Sequence, residues 1–249
     1  MSILVLGANG KIGKQIVSKL KDDNEEVIAT YRKDEQISEA EQKGYNARKV
    51  DVEKDTIDDL ANSFKDVDQV VFSVGAGGAG NGKEIIIDLD GAVKAIEASK
   101  KAGVKHFLMV STYDSSREAF DSIPDLKTYT ITKHYADVHL RDSGLFHTIV
   151  HPGYLDDKEG TGKVDIAEQL SNVDSISRED VASVIVDVLE NEKFQGGEFQ
   201  MINGSEPIEK ALEDYYKNHW FNNLYLVMKK NILRRPFLVF SFLIIVRDT

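Results

Sequence analysis

The chain has 249 residues, of which 41% are hydrophobic and 29% charged, and this balance excludes a disordered or collagen-like protein. A formal net charge of −11 argues against a general nucleic-acid binder, which would need a basic surface. The absence of cysteine excludes disulfides, a thiolate nucleophile and cysteine-bound zinc, and it is consistent with a reducing compartment. No basic leader precedes the apolar start of the chain, so we expect a cytoplasmic protein.

Short apolar runs alternate with helical patterns along the chain, as is typical of repeated strand–helix units around a parallel sheet. The run Ile3–Leu6 predicts the first strand, and the apolar side chains between Ile12 and Leu20 share one helical face. Further strands are predicted at residues 27–31, 47–50, 69–74, 106–110, 147–150 and 198–202. The predicted fold class is therefore α/β, a doubly wound parallel sheet.

Two predicted helices have marked ends. Lys83–Lys101 stops before Gly103 and Thr128–Arg141 stops before Gly144, where glycine accepts the left-handed conformation that ends many helices. Ser177, with Asp180 three residues later, resembles a capping box and predicts the start of another helix. We expect one domain over residues 1–214, followed by a compositionally different tail over residues 215–249.

A glycine motif follows the first predicted strand and opens the first predicted helix. Its spacing is Gly-x-x-Gly-x-x-Gly, and its residues are Gly7, Ala8, Asn9, Gly10, Lys11, Ile12 and Gly13. Such glycines permit a tight turn, a close approach of backbone to a pyrophosphate and close helix–strand packing. The motif predicts a dinucleotide-binding Rossmann fold.

The residue after the second strand distinguishes the two nicotinamide cofactors, because an acid there binds a ribose hydroxyl and an arginine accepts a 2′-phosphate. The chain has no acid at this point and places Arg32 and Lys33 there instead. The pair favours NADP(H) over NAD(H). The alternative is that both are solvated charges of a turn.

Residues after the next two strands extend the predicted cofactor site. Asp51, followed by Val52, is placed to accept a hydrogen bond from the adenine amino group, or it is an ordinary turn aspartate. Val74, Gly75 and Ala76 are small enough for the chain to pass close to the ribose and nicotinamide. All of these residues fall at strand ends, where open α/β sheets bind their ligands.

Four residues predict a proton-transfer site. Ser111 and Thr112 directly follow the fifth strand, and Tyr129 and Lys133 lie one helical turn apart shortly after it. An ammonium group near a phenol makes the phenol a better proton donor, so Tyr129 is the candidate acid or base at a carbonyl or alcohol. A hydroxyl of Ser111 or Thr112 would polarise the same oxygen, and Lys133 would also bind the nicotinamide ribose.

The histidines do not have the spacing of metal ligands. His134 and His139 are five residues apart and so do not share a helical face, and no His-x-x-x-His pair with a helper acid is present. We therefore expect no metal centre.

These motifs together resemble the short-chain dehydrogenase/reductase superfamily, in particular its atypical NAD(P)H-binding branch near the NmrA-like and flavin/biliverdin-reductase-like proteins. The resemblance covers about residues 1–212. It implies a Rossmann fold, a nicotinamide cofactor, a Ser/Tyr/Lys reduction site, and a loop at Pro152 and Gly153 that contacts nicotinamide. His151 stands where the resemblance leads us to expect an arginine.

The resemblance leaves three activities open. The first is a cytoplasmic oxidoreductase, preferring NADP(H), that acts on a small carbonyl, quinone or flavin-like substrate. The second is a redox-sensing regulator that binds the dinucleotide without turnover, and the third is an epimerase or isomerase that reuses bound cofactor. Retention of Tyr129 and Lys133 favours an enzyme. Three aromatic residues of the predicted pocket loops are candidates to stack on a flat ligand, namely Tyr113, Phe120 and Tyr154. The alternative is that they are ordinary exposed aromatics of loops.

The tail over residues 215–249 carries six basic residues and one acid, together with many aromatics. Its apolar run over residues 237–246 is about half the length of a membrane-spanning helix. It is a weak membrane-surface contact, an arm that covers a partner subunit, or a stretch outside the fold. We expect a small-molecule substrate and no nucleic-acid partner, and the oligomeric state stays open.

Overall fold

The computed structural model describes residues 1–77, 80, 82–122 and 124–218. Its strands are β1 (Ser2–Leu6), β2 (Glu26–Tyr31), β3 (Asn46–Lys49), β4 (Gln69–Phe72), β5 (His106–Val110), β6 (His147–Pro152), β7 (Tyr154–Asp156), β8 (Lys163–Ala167), β9 (Ser175–Ser177), β10 (Gly197–Asn203) and β11 (Glu206–Pro207). Its helices are α1 (Lys11–Asp22), α2 (Asp34–Gln42), α3 (Ile57–Ser63), α4 (Gly91–Ala102), α5 (Lys127–Asp142), α6 (Arg178–Glu190) and α7 (residues 208–218).

Nine of these strands form one sheet in the order β11-β8-β10-β6-β5-β4-β1-β2-β3. The pairs from β3 to β10 are all parallel, and β8 and β11 add an antiparallel edge. One apolar core joins the sheet to α1, α6 and α7, and a second joins its other face to α3, α4 and α5. The structure confirms the doubly wound parallel sheet, which is a Rossmann-like fold.

Strand order sets the position of the ligand crevice. The strand order reverses at β1, because β2 and β3 lie on one side of it and β4, β5 and β6 lie on the other. In such sheets the crevice lies beyond the carboxyl ends of the strands at this reversal. The glycine turn after β1 and the loop after β4 therefore lie side by side.

The structure differs from the helix and strand predictions in the start of one helix and in several short strands. The predicted helix Lys83–Lys101 begins as a π-helical segment, Glu84–Asp90, and becomes α-helical at α4, which ends at Gly103 with φ 77°. Strands β7, β8, β9 and β11 were not predicted, because each has five residues or fewer and depends on pairing with other strands, as β8 does with β10 on one side and β11 on the other.

The C-terminal helix α7 packs on the core. Tyr215 is 6% exposed, its ring lies 5.1 Å from that of Phe199, and its hydroxyl donates to the carbonyl of Glu198 at 2.8 Å. The predicted boundary between domain and tail at residue 215 falls within this helix. Residues 219–249, which hold the rest of the tail, lie outside the described residues. None of the helices within the described part of the chain is both long and apolar enough to cross a membrane.

A buried histidine ties β5 to its neighbours and makes stability depend on pH. Nδ1 of His106 lies 2.8 Å from Oε1 of Gln69, and its Nε2 lies 2.9 Å from Oγ1 of Thr148. Burial lowers the pKa of His106 to about 4. Between about pH 6.5 and about pH 4, this histidine is therefore protonated in the unfolded chain but neutral in the native state. The free energy of unfolding falls as the pH falls through this window.

We expect the free energy of unfolding to fall by about 2 kcal/mol between pH 7.5 and pH 5 through this residue. Urea unfolding at the two pH values measures the loss. The His106→Gln variant cannot titrate at this position, so its loss should be smaller by that amount. An equal loss in the variant would contradict the assignment.

Candidate active site

Three glycines shape the turn between β1 and α1. Gly7 has φ 88°, and a Cβ there would collide with the backbone oxygen of Ser73. A Cβ on Gly13 would collide with the backbone oxygen of Gly7, so this glycine lets the helix pack against the turn. Gly10 is the N-cap of α1 and no side chain caps the helix, which leaves N–H groups of its first turn for an anionic ligand.

A crevice of about 260 Å³ opens beside this turn. Eight of the predicted cofactor residues line it, namely Gly7, Asn9, Gly10, Arg32, Asp51, Val52, Val74 and Gly75. Sequence reasoning missed the remaining lining residues, which are Leu6, Thr30, Tyr31, Gln36, Val50, Glu53, Ser73 and Ile87. Most of the missed residues immediately adjoin a predicted one, because the crevice is lined by several consecutive residues at each strand end. The glycine turn, uncapped helix and crevice fit the phosphates and adenosine of a dinucleotide.

The other predicted cofactor residues lie outside this crevice. Ile12 and Gly13 are buried in α1, and Lys11 at the start of that helix pairs with Asp157 at 2.5 Å. Lys33 is the N-cap of α2 and is exposed. The remaining ones follow β4, lie on α5 or end β6, and they are Ala76, Lys133, Pro152 and Gly153.

Arg32 and Lys33 are separated by the structure. The Arg32 side chain lines both the crevice and an adjoining groove that also contains Lys49 and Lys54. Lys49 is paired with Asp34 at 2.6 Å, whereas Arg32 has no ion-pair partner within the described residues. Of the two predicted cations, Arg32 is the one that faces the crevice.

Asp51 makes turn contacts and also lines the crevice. It lines the crevice, and its Oδ1 accepts a hydrogen bond from the amide of Glu53 at 3.1 Å. Its Oδ2 lies 3.8 Å from the Lys54 ammonium. The carboxylate therefore stabilises its own turn while facing the predicted adenine position.

Lys133 is buried beneath Tyr129. Only 4% of Lys133 is exposed, and its Nζ lies 5.7 Å from the centre of the Tyr129 ring, which is half-buried. Burial alone would lower the pKa of Lys133, but its interactions with Tyr129, Asp88 and Asp137 outweigh it and raise the pKa. Lys133 is therefore a fixed ammonium directly behind the phenol.

Asp88 forms a buried ion pair with Lys133 and was not predicted. It is 1% exposed, its Oδ1 lies 3.4 Å from Nζ of Lys133, and its Oδ2 accepts from the amide of Ala76 at 2.8 Å. Asp88 lies in the π-helical segment, a geometry that is frequent at functional sites. The signal in the sequence was a single acid within the apolar run Ile85–Leu89.

The two predicted hydroxyls differ in their surroundings. Ser111 is 4% exposed, and its hydroxyl donates to Oδ2 of the fully buried Asp137 at 2.5 Å. Its single proton is therefore occupied and does not polarise a substrate oxygen in this arrangement. Thr112 is half-buried, and its carbonyl oxygen lies 2.6 Å from Nδ1 of His151.

Several side chains of the candidate site lie along one face of α5. Tyr129, Lys133, Asp137 and Arg141 recur every fourth residue, so they lie along one face of the helix. Charges alternate along this face after the phenol. Continuing the Tyr-x-x-x-Lys spacing by two more turns would have identified Asp137 and Arg141.

The loops that flank the predicted substrate pocket contact each other. The hydroxyl of Tyr113 donates to the carbonyl of Asn172 at 2.6 Å. Phe120 is 2% exposed, so the expectation that it stacks on a flat ligand is wrong in this arrangement. Tyr154 is 54% exposed and stays available.

No group of three or more histidine and acidic side chains arranged for a metal ion occurs among residues 1–77, 80, 82–122 and 124–218.

Comparison with known proteins shows the family of the chain. A protein-family model described as NAD(P)H-binding matches residues 7–192. The chain is 39% identical over 216 residues to a Bacillus subtilis protein named uncharacterized sugar epimerase YhfK, covering 86% of this chain and 99% of that protein. It is 36% identical over 222 residues to the Saccharomyces cerevisiae UPF0659 protein YMR090W, covering 86% and 98% of the two chains.

A solved structure has the same architecture. The crystal structure of the oxidoreductase ylbE from Lactococcus lactis superimposes with a TM-score of 0.75 at 32% sequence identity. The match covers 86% of this chain and 96% of that one. The similarity therefore extends over nearly the whole described part of the molecule.

Proposed function

The chain belongs to the NAD(P)H-binding family, and from this premise we propose that it is an oxidoreductase of the short-chain type that prefers NADP(H). The substrate would be a small carbonyl, quinone or flavin-like molecule. The observation that carries the proposal is the half-buried Tyr129 backed by the buried Lys133 ammonium, which Asp88 links to the loop after β4 that lines the crevice.

The residues of the site would have separate roles in the reaction. When bound, the nicotinamide supplies or accepts the hydride. Tyr129 would give its phenolic proton to the substrate oxygen during reduction, and Lys133 would stabilise the phenolate that this leaves. Asp88 would hold Lys133 in place and fix the loop after β4 through the Ala76 amide.

Thr112 would be the hydroxyl that polarises the substrate oxygen. It is the more exposed of the two predicted hydroxyls, and no partner occupies its side chain among the described residues, whereas the proton of Ser111 is donated to Asp137. The Tyr129 proton and the Thr112 hydroxyl would then meet on one substrate oxygen, which lowers the barrier to hydride transfer.

Cofactor preference would depend on Arg32. Replacing Arg32 by alanine removes the unpaired guanidinium from the crevice, so the Kd of NADPH should rise about 10- to 100-fold while that of NADH changes little. Nicotinamide fluorescence measures both constants. The matched control is Lys33→Ala, because Lys33 caps α2 outside the crevice and should change neither constant by more than about twofold. Equal weakening of both cofactors by Arg32→Ala would contradict the assignment.

A second candidate function is epimerisation, because the Bacillus subtilis relative is named a sugar epimerase. An epimerase would reuse its cofactor, so the purified protein should retain NADP or NAD and show no net oxidation of added NADPH. Mass spectrometry of the denatured protein and an NADPH oxidation assay with a diketone, a naphthoquinone and riboflavin phosphate distinguish the two functions. Release of free cofactor together with NADPH oxidation supports the reductase.

A further inference from the structure

His151 is buried at the carboxyl end of β6 and both of its ring nitrogens face acceptors. It is 4% exposed; Nδ1 lies 2.6 Å from the carbonyl oxygen of Thr112, and Nε2 lies 2.8 Å from Oε1 of Glu198. A carbonyl oxygen and an ionised carboxylate can only accept hydrogen bonds. Both ring nitrogens must therefore donate, which requires the imidazolium form.

Glu198 is held as a carboxylate by two cations. The guanidinium of Arg141 donates to both oxygens, from Nε at 2.7 Å and from Nη2 at 2.5 Å. Burial alone would raise the pKa of Glu198, but Arg141 and His151 lower it to about 2. An acceptor at Nε2 of His151 is therefore present throughout the ordinary pH range.

The groups that face His151 come from three elements. Glu198 lies on β10, Asp137 and Arg141 lie on α5, and the Thr112 carbonyl follows β5. Burial alone would lower the pKa of His151, but the hydrogen bond to Glu198 and the nearby Asp137 carboxylate outweigh it and raise the pKa. The surrounding charges and the two hydrogen-bond acceptors thus both favour the imidazolium form of His151.

We propose that His151 is a positioning residue, a doubly protonated clamp that fixes Thr112 to β10 and so sets the direction of the Thr112 hydroxyl. The inference rests on the proposed function, in which Thr112 polarises the substrate oxygen. It also explains why a histidine serves where the family resemblance led us to expect an arginine. The imidazolium of His151 carries a positive charge, as an arginine would. Its two N–H donors point to two separate elements, the chain after β5 and strand β10.

The structure suggests a matched pair of variants. The side-chain amide of asparagine lies where Nδ1 lies in histidine, and that of glutamine lies where Nε2 lies. Thus His151→Asn keeps a donor for Thr112, whereas His151→Gln keeps one for Glu198, and both lose the positive charge. If the clamp acts through Thr112, kcat/KM for NADPH-dependent reduction should be about tenfold lower in His151→Gln than in His151→Asn.

A background variant separates positioning from general damage. In Thr112→Val the hydroxyl is gone, so the difference between His151→Asn and His151→Gln should disappear. A difference that persists, or a His151→Asn protein that is the less active of the two, overturns the proposal. Melting temperatures of all variants identify any loss that comes from unfolding.

A spectroscopic readout does not depend on turnover. In a long-range ¹H–¹⁵N spectrum of the wild-type protein at pH 7.5, both ring nitrogens of His151 should be protonated, with signals that vanish in His151→Gln. One protonated and one bare nitrogen would overturn the clamp whatever the activity. If the spectrum shows the imidazolium but no acceptor is reduced, the clamp stands and the proposed function fails.

Discussion

Replacing Tyr129 by phenylalanine should lower kcat for NADPH-dependent reduction about 10²- to 10⁴-fold, because the substitution removes the proton donor and leaves the ring in place. The Kd of NADPH should stay within about twofold, since Tyr129 does not line the adenosine crevice. Steady-state kinetics with the best acceptor found for the wild type, together with a fluorescence titration, measures both constants.

The control for this variant is Tyr135→Phe. Tyr135 lies on the same helix but is 49% exposed, so removal of its hydroxyl should change neither constant. Wild-type turnover by Tyr129→Phe would contradict the assigned proton donor. A lost affinity for NADPH would instead assign Tyr129 a role in cofactor binding.

Replacing Lys133 by methionine should abolish turnover and lower the free energy of unfolding by about 3 to 5 kcal/mol. The variant removes the ammonium 3.4 Å from Oδ1 of Asp88 and leaves that carboxylate, which is 1% exposed, without its cation. Urea unfolding at pH 7 measures the loss. The double variant Lys133→Met with Asp88→Asn should recover part of the stability, because no buried charge is then left unpaired, and it should stay inactive.

Lys127→Met is the matched control, because this lysine is the first residue of the same helix and forms an exposed ion pair with Asp121, which precedes the helix. Exposed ion pairs contribute little, so its unfolding free energy should change by less than about 1 kcal/mol. A Lys133→Met protein as stable as the wild type would contradict the buried ion pair. Full recovery of activity in the double variant would show that Lys133 has no role in proton transfer.

The parts of this molecule that local signals determine could be predicted from the sequence. The run before Gly7 and the spacing of Gly7, Gly10 and Gly13 place the cofactor crevice, because strand, turn and helix all form within about 20 residues of chain. Similarly, Gly103 ends α4 with φ 77°, as a glycine in that position predicts.

Contacts between distant elements could not be predicted in the same way. Asp88 reaches Lys133 across 45 positions, and only the packing of the π-helical segment against α5 brings them together. The donation from Ser111 to Asp137 likewise depends on how β5 meets α5, so the sequence alone left Ser111 and Thr112 equivalent. Strand β8 likewise depends on its pairing with β10 and β11, and a five-residue segment does not by itself show which strands it will join.

The most direct test of the account is a titration of the full-length protein with NADPH and with NADH, followed by nicotinamide fluorescence. A crevice that holds a dinucleotide and presents Arg32 to its 2′-phosphate predicts saturable binding of both, with NADPH about 10- to 100-fold tighter. Equal affinities would contradict the role of Arg32. Failure to bind either cofactor would contradict the central claim that this Rossmann fold is a working dinucleotide site.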